Sequence, residues 1–162
     1  MYEALAAAAL GGNDPDRVVE NVRRARERYP DLSREELADK LTARAAFSCA
    51  AVGAVASGTL DLSYQALSLH RLVLSIARVS GEPASALERV AAVAGSLLVA
   101  AAGEGARRVA ARAARRLPSD RSPLLPALGS ALAAGTVHYG AARLIGYAAR
   151  RFFFEGRSRR RG

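Results

Sequence analysis

At 162 residues the chain has the length of one domain and enough material for its own core. Half of it is hydrophobic, yet only 6% is aromatic, so the expected core packs backbones close together rather than filling space with bulky side chains. A net charge of +9 points to an anionic partner, and a single cysteine, Cys49, excludes an intrachain disulfide and a Cys-based zinc site.

The charge is uneven. Residues 1–61 carry 10 acidic and 8 basic side chains, residues 62–162 carry 5 and 16, and of the 24 basic residues only Lys40 is a lysine. Phospholipid headgroups, nucleic acid or an acidic protein face would each suit the basic half. Abundant Ala, Leu and Arg predict helix throughout, and no segment alternates with the period of a strand.

Residues 2–10 read as a short helix stopped by Gly11 and Gly12. They carry Glu3 and no basic n-region, so no secretory signal is read here and a cytoplasmic setting is expected. Asp14 as N-cap, Pro15 at the first helical position and Asp16 in the first turn open the next helix. Val18, Val22, Ala25 and Tyr29 mark its apolar face, and Pro30 ends it. Ser33 and Glu36 then form a capping box with Leu32 and Leu37 at the staple positions, predicting a helix from Arg34 to about Ser57. Its second half is uncharged, with Ala46, Ala50, Ala54 and Gly58 repeating at every fourth position as a flat stripe for a close partner helix.

Gly58 and Thr59 break that helix, and Asp61 is placed to cap the next, which runs to Ser80 before the Gly81 stop. Leu62, Leu69, Leu72, Val73 and Ile76 give it a broad buried face, within which His70 reads as a structural residue. Ser85 and Glu88 make a second capping box, opening a long helix with Gly95 in its uncharged part and a break at residues 103–105. Beyond it Arg108, Arg112, Arg115 and Arg116 share one face, suited to several phosphates. Residues 118–123 form a loop, after which Ser122 and Pro123 open the last helix.

The stretch 122–142 passes without a formal charge and is notched by Gly129, Gly135 and Gly140, with Gly146 following. It has the length of a bilayer-spanning helix, and equally the character of a glycine-notched helix at the centre of a bundle; the sequence leaves both open. It ends in Arg150, Arg151, Phe152, Phe153 and Phe154, a composition that suits an interfacial anchor.

Two stretches carry a family resemblance. GTLDLSYQALSLHRLVLSIARVSGE (58–82) and ALAAGTVHYGAARLIGYAARRFFFEG (131–156) resemble the EcsC family and a related helical domain attached to some bacterial GTPases. The first has a turn, an acidic residue and a long apolar helix ending in Gly; the second has Gly135, Thr136 and Gly140 before Phe154 and Gly156. Leu117 and Pro118 sit where those proteins often place a Leu-Pro before the last helix. Across residues 45–156 the resemblance implies an all-helical domain found near membranes and transport machinery, with no catalytic residues to carry over.

No phosphate-cradling, zincin, hydrolase or paired-cysteine motif occurs. The expectation is therefore an all-α, compact bundle of five or six helices with Ala/Gly-rich central helices. It forms one domain over 1–156, with peripheral helices at 1–32 and a basic disordered tail at 157–162. The expected role is non-enzymatic, without cofactor or metal. The module either associates with membrane lipid at the inner face of the membrane or holds an apolar ligand between its central helices. Anionic contacts fall to Arg108, Arg112, Arg115, Arg116, Arg150 and Arg151, and anchoring to Phe152, Phe153 and Phe154. Close packing or a pocket falls to Ala46, Ala50, Ala54, Gly58, Gly95, Gly129, Gly135 and Gly140. The rival readings are a homo-oligomeric scaffold or protein-interaction module, and a basic nucleic-acid binder.

Overall fold

The computed structural model describes residues 15–55, 59–81, 84–85 and 124–156, with Glu88 and scattered positions between 94 and 113. The expected helix at 2–10, Gly58, Arg115, Arg116, the loop at 118–123 and the tail at 157–162 lie outside these, as does part of the break expected at 103–105. Among the described residues the regular structure is all helical: α1 (Pro15–Arg28), α2 (Arg34–Val55), α3 (Thr59–Ser80), α4 (Leu124–Arg150), and a π-helical turn (Arg151–Gly156). None of these helices is long and apolar enough to cross a membrane. In α4 the reason is composition: alanine and glycine are only mildly apolar, and Arg143 and Arg150 enter its second half.

α1 begins at the expected Pro15 and buries Val18 and Ala25, with Val22 half-buried between them. The Tyr29 N–H closes its last turn on the Ala25 carbonyl at 3.0 Å, and Pro30 prevents another. Arg26 donates to the Leu32 carbonyl at 2.8 Å, tying the following loop back to the helix. α2 opens on the expected capping box. The Ser33 N–H donates to the Glu36 carboxylate at 2.8 Å, and the Glu36 N–H donates to the Ser33 hydroxyl at 3.2 Å. The Ser33 hydroxyl first, then its backbone, holds the Glu36 carboxyl below the ordinary carboxylate range. The same reciprocal pair joins Ser85 and Glu88, at 2.7 and 3.3 Å.

α3 starts at Thr59, so Asp61 lies inside its first turn rather than capping it. Its end is as expected: Gly81 turns the chain at φ 91°, the left-handed region that glycine enters without steric cost. Arg34, at the start of α2, donates to the Ser80 carbonyl at 3.2 Å, which satisfies an end carbonyl of α3 and shows that the two helices run antiparallel.

The larger core lies where α1, α2, α3 and the π-turn meet. Leu37, Leu72, Ile76, Val79 and Phe153 supply its bulk, with Ala25, Ala38, Ala77 and Ala149 between them. A smaller cluster of Ala46, Cys49, Leu69 and Ala142 continues between α2, α3 and α4, with Ile145 against it. Most of its members are small.

Candidate functional site

The α2–α4 contact is a seam of small residues. The helices run antiparallel, with Arg150 donating to the Asp39 carboxylate at 2.8 Å at one end and Gly135 facing Ala50 and Ala54 at the other. Between these ends Gly146 lies on the buried Thr42 side chain, and Gly53 lies on the imidazole of buried His138. A Cβ at Gly53 would stand 2.0 Å from His138 Cδ2, and one at Gly146 would stand 2.2 Å from Thr42 Cγ2. At Gly135 the approach is to backbone, 3.1 Å from the Ala50 carbonyl oxygen. Contacts this short leave no room for a ligand between the two helices at these levels, so of the two expectations for these residues, close packing or a pocket, the described seam shows close packing.

The stripe residues Ala46, Ala50, Ala54 and Gly135 do take part in this packing. Gly95, Gly129 and Gly140 do not: a Cβ on any of them meets nothing within 4 Å, and Gly140 is exposed. The residues not singled out for the seam were Thr42, Gly53, His138 and Gly146. Helical spacing held a usable signal for Gly146, which stands eleven residues beyond Gly135 and so returns to nearly the same face. Nothing in the sequence pairs Gly53 with His138.

The arginines and phenylalanines divide. Arg108 and Arg112 are exposed. Arg150 donates to the Asp39 carboxylate, and exposed Arg151 lies 3.4 Å from the exposed Glu155 carboxylate one turn on. Phe153 is a correction to the anchor reading. It points inward as a core residue, with its ring edge-on to Phe152 at 5.1 Å, and Phe154 is half-buried against the same cluster. Of the three, only Phe152 is exposed. Both histidines are buried, and among the described residues no cluster of three His, Cys, Asp or Glu is placed to hold a metal ion.

Among the described residues, exposed apolar side chains include two groups. On α4 the buried positions other than His138 are small, while several large apolar side chains face outward: Leu132 is 71% exposed, Leu144 65% and Tyr147 52%. An open groove of about 530 Å³ runs beside them, lined by Leu144, Tyr147, Ala148, Arg151 and Phe152. The second group lies between residues 94 and 113, where Leu98 is 72% and Val109 66% exposed. At helical spacing Leu98 and Ala102 share a face, and so do Gly105, Val109 and Ala113, with exposed Arg108 and Arg112 beside the second group.

Compared with known proteins, the chain matches no family model, no curated protein and no solved structure.

Proposed function

We propose that this chain is a non-enzymatic helical module, a bundle of five or six helices, that docks on an anionic membrane surface from the cytoplasmic side. The observation that carries this reading is the exposed group between 94 and 113. Leu98 is open to solvent, and so is Val109 beside exposed Arg108 and Arg112, apolar side chains with a cationic edge. That combination suits a helix lying in the headgroup layer, its apolar side chains toward the acyl chains and its arginines on the phosphates. Each basic residue near such a surface contributes about 1 kcal/mol. The resemblance of 45–156 to the EcsC family supports the same role. The tight α2–α4 seam argues against the other form of the expectation, a ligand held between central helices.

Co-sedimentation of the full chain with vesicles tests the reading. Binding is expected to vesicles containing phosphatidylglycerol and not to pure phosphatidylcholine, and to weaken as salt rises and the headgroup field is screened. Replacing both Arg108 and Arg112 by Glu reverses the cationic edge and lowers the apparent affinity at least tenfold. Equal binding to neutral and anionic vesicles, or none to either, refutes the proposal.

A further inference from the structure

A second pair of arginines lines a groove that the docking reading does not use. The groove holds about 190 Å³ between α1, α2 and α3, and Arg44 of α2 and Arg71 of α3 both line it. Helical spacing brings hydroxyls to the same place. Ser48 stands one turn beyond Arg44, and Tyr64 and Ser68 stand seven and three residues before Arg71. Asn21 of α1 adds an amide, and Leu41 and Leu72 supply apolar lining. No carboxylate lines the groove.

The fold gives these polar groups nothing to hold. Arg23, Arg24, Arg26, Arg34 and Arg150 each donate to a carboxylate or a carbonyl. Exposed Arg44 and half-buried Arg71 make no hydrogen bond or ion pair among the described residues. The hydroxyls show the same contrast. Those of Thr42 and Thr136 donate to the carbonyl four residues back and that of Ser80 to the carbonyl three back, the usual resort of a hydroxyl inside a helix. Ser48 and Ser68 make no such bond among the described residues, which leaves their hydroxyls to the groove. Two cations brought to one groove repel each other, and an oxyanion between them turns that repulsion into two charge-assisted, fork-shaped contacts.

We propose that this groove binds the phosphate of a phosphomonoester, held between the Arg44 and Arg71 guanidinium groups and by the Ser48 and Ser68 hydroxyls. Donors arrive from facing helices in greater number than the two oxygens of a carboxylate can serve. A phosphomonoester offers three strong acceptor oxygens and a charge of about −1.5 to −2 at pH 7. Size narrows the class further. Sites for whole small molecules run to about 300–1,000 Å³, so a groove of about 190 Å³ suits the phosphate group itself, with the rest of the molecule outside. A soluble phosphomonoester and a lipid whose headgroup ends in one share this chemistry. Arg108 and Arg112 are not part of the lining, so this site and the docking face succeed or fail separately.

Titration calorimetry of the full chain with inorganic phosphate, at pH 7 and constant ionic strength, tests the site. Saturable binding is expected, weakened at least tenfold by Arg44→Gln together with Arg71→Gln and unchanged by Arg108→Gln together with Arg112→Gln. Ser68→Ala keeps both charges and serves if the paired arginine variant fails to fold; it is expected to weaken binding about tenfold. Vesicles distinguish the two sources. A lipid source predicts that phosphatidic acid in phosphatidylcholine is preferred over phosphatidylglycerol at matched surface charge, and that the paired Arg44 and Arg71 variant loses the preference. A soluble source predicts no such preference, with glycerol 3-phosphate binding at least as tightly as inorganic phosphate. No saturable binding of phosphate, or binding that neither the paired arginine variant nor Ser68→Ala weakens, overturns the proposal.

Discussion

Adding one methyl group to α4 is expected to change stability in opposite directions at two of its glycines. At Gly146 the new Cβ would stand 2.2 Å from Thr42 Cγ2, 2.5 Å from its Oγ1 and 2.9 Å from its Cβ. Thr42 has no easy retreat: it is buried, and its hydroxyl donates to the Ala38 carbonyl at 2.8 Å. Overpacking of this kind costs about 1–3 kcal/mol, while exchanging a helical glycine for alanine returns about 0.5–1 kcal/mol. The net expectation for Gly146→Ala is a loss of about 1–2 kcal/mol, or a fall in Tm of about 2–8 °C for a chain of this size. At Gly129 the new Cβ meets nothing within 4 Å, so Gly129→Ala retains the propensity gain of about 0.5–1 kcal/mol. Urea denaturation of both variants reads the two signs. Thr42→Ala placed together with Gly146→Ala removes the two nearest atoms, so the double variant is expected to be more stable than the sum of the single effects. If Gly146→Ala is as stable as the parent, or if Thr42→Ala does not couple to it, the description of the seam is wrong.

Gly53→Ala should behave like Gly146→Ala, since the buried His138 ring stands where the methyl group would go; a Tm at or above that of the parent would count against the contact. Ser33→Ala removes the acceptor for the Glu36 N–H and is expected to cost about 1 kcal/mol, read by chemical denaturation. Glu20 accepts from Arg23 and Arg24, at 2.8 and 2.6 Å, and these two hold its carboxyl at about 2 rather than the ordinary 4.5. Its folded value is depressed, so its contribution is present above pH 4.5 and is lost as the pH falls toward 2. The Tm gap between parent and Glu20→Gln is expected to close over that range and to shrink in high salt because the group is exposed; an undiminished gap at pH 2 refutes it. Asp39→Asn breaks the Arg150 pair, whose two side chains are 54 and 28% exposed, and a loss of no more than about 1 kcal/mol is expected.

The features legible in the sequence are those fixed by local chemistry. Both capping boxes, the Pro15 start, the Pro30 stop and the Gly81 turn depend on neighbours within a few residues, and each stands where side-chain chemistry and backbone freedom require. Helix identity followed for the same reason. The inner partners of α4 were only partly legible, because a small residue carries no sign of which face it serves. Gly135 and Gly140 look alike in the sequence, yet one lies on α2 and the other on open space. The phenylalanine run misled because its composition was read without its spacing. Phe153 stands four residues beyond Ala149, seven beyond Gly146 and eleven beyond Ala142, on the buried face of α4, and it joins the core there.

The size inversion on α4 also alters which mutations matter. In an ordinary core, truncating a large apolar side chain removes buried area and leaves a cavity. Here, among the described residues, the buried positions of α4, His138 excepted, are Ala134, Gly135, Ala142, Gly146 and Ala149, which have little or nothing to truncate, while Leu132, Leu144 and Tyr147 stand outside. The seam holds through close approach of backbones, and such a contact is sensitive to atoms added rather than removed. Leu144→Ala should therefore leave the stability of the single chain nearly unchanged, whereas Gly146→Ala, two residues along the same helix, should lower it. A protein whose large side chains existed to build its own core would show the reverse order. If Leu144→Ala instead costs the 2 kcal/mol or more typical of a buried leucine, the outer face of α4 is covered within the chain, and the size inversion is not what decides which mutations matter.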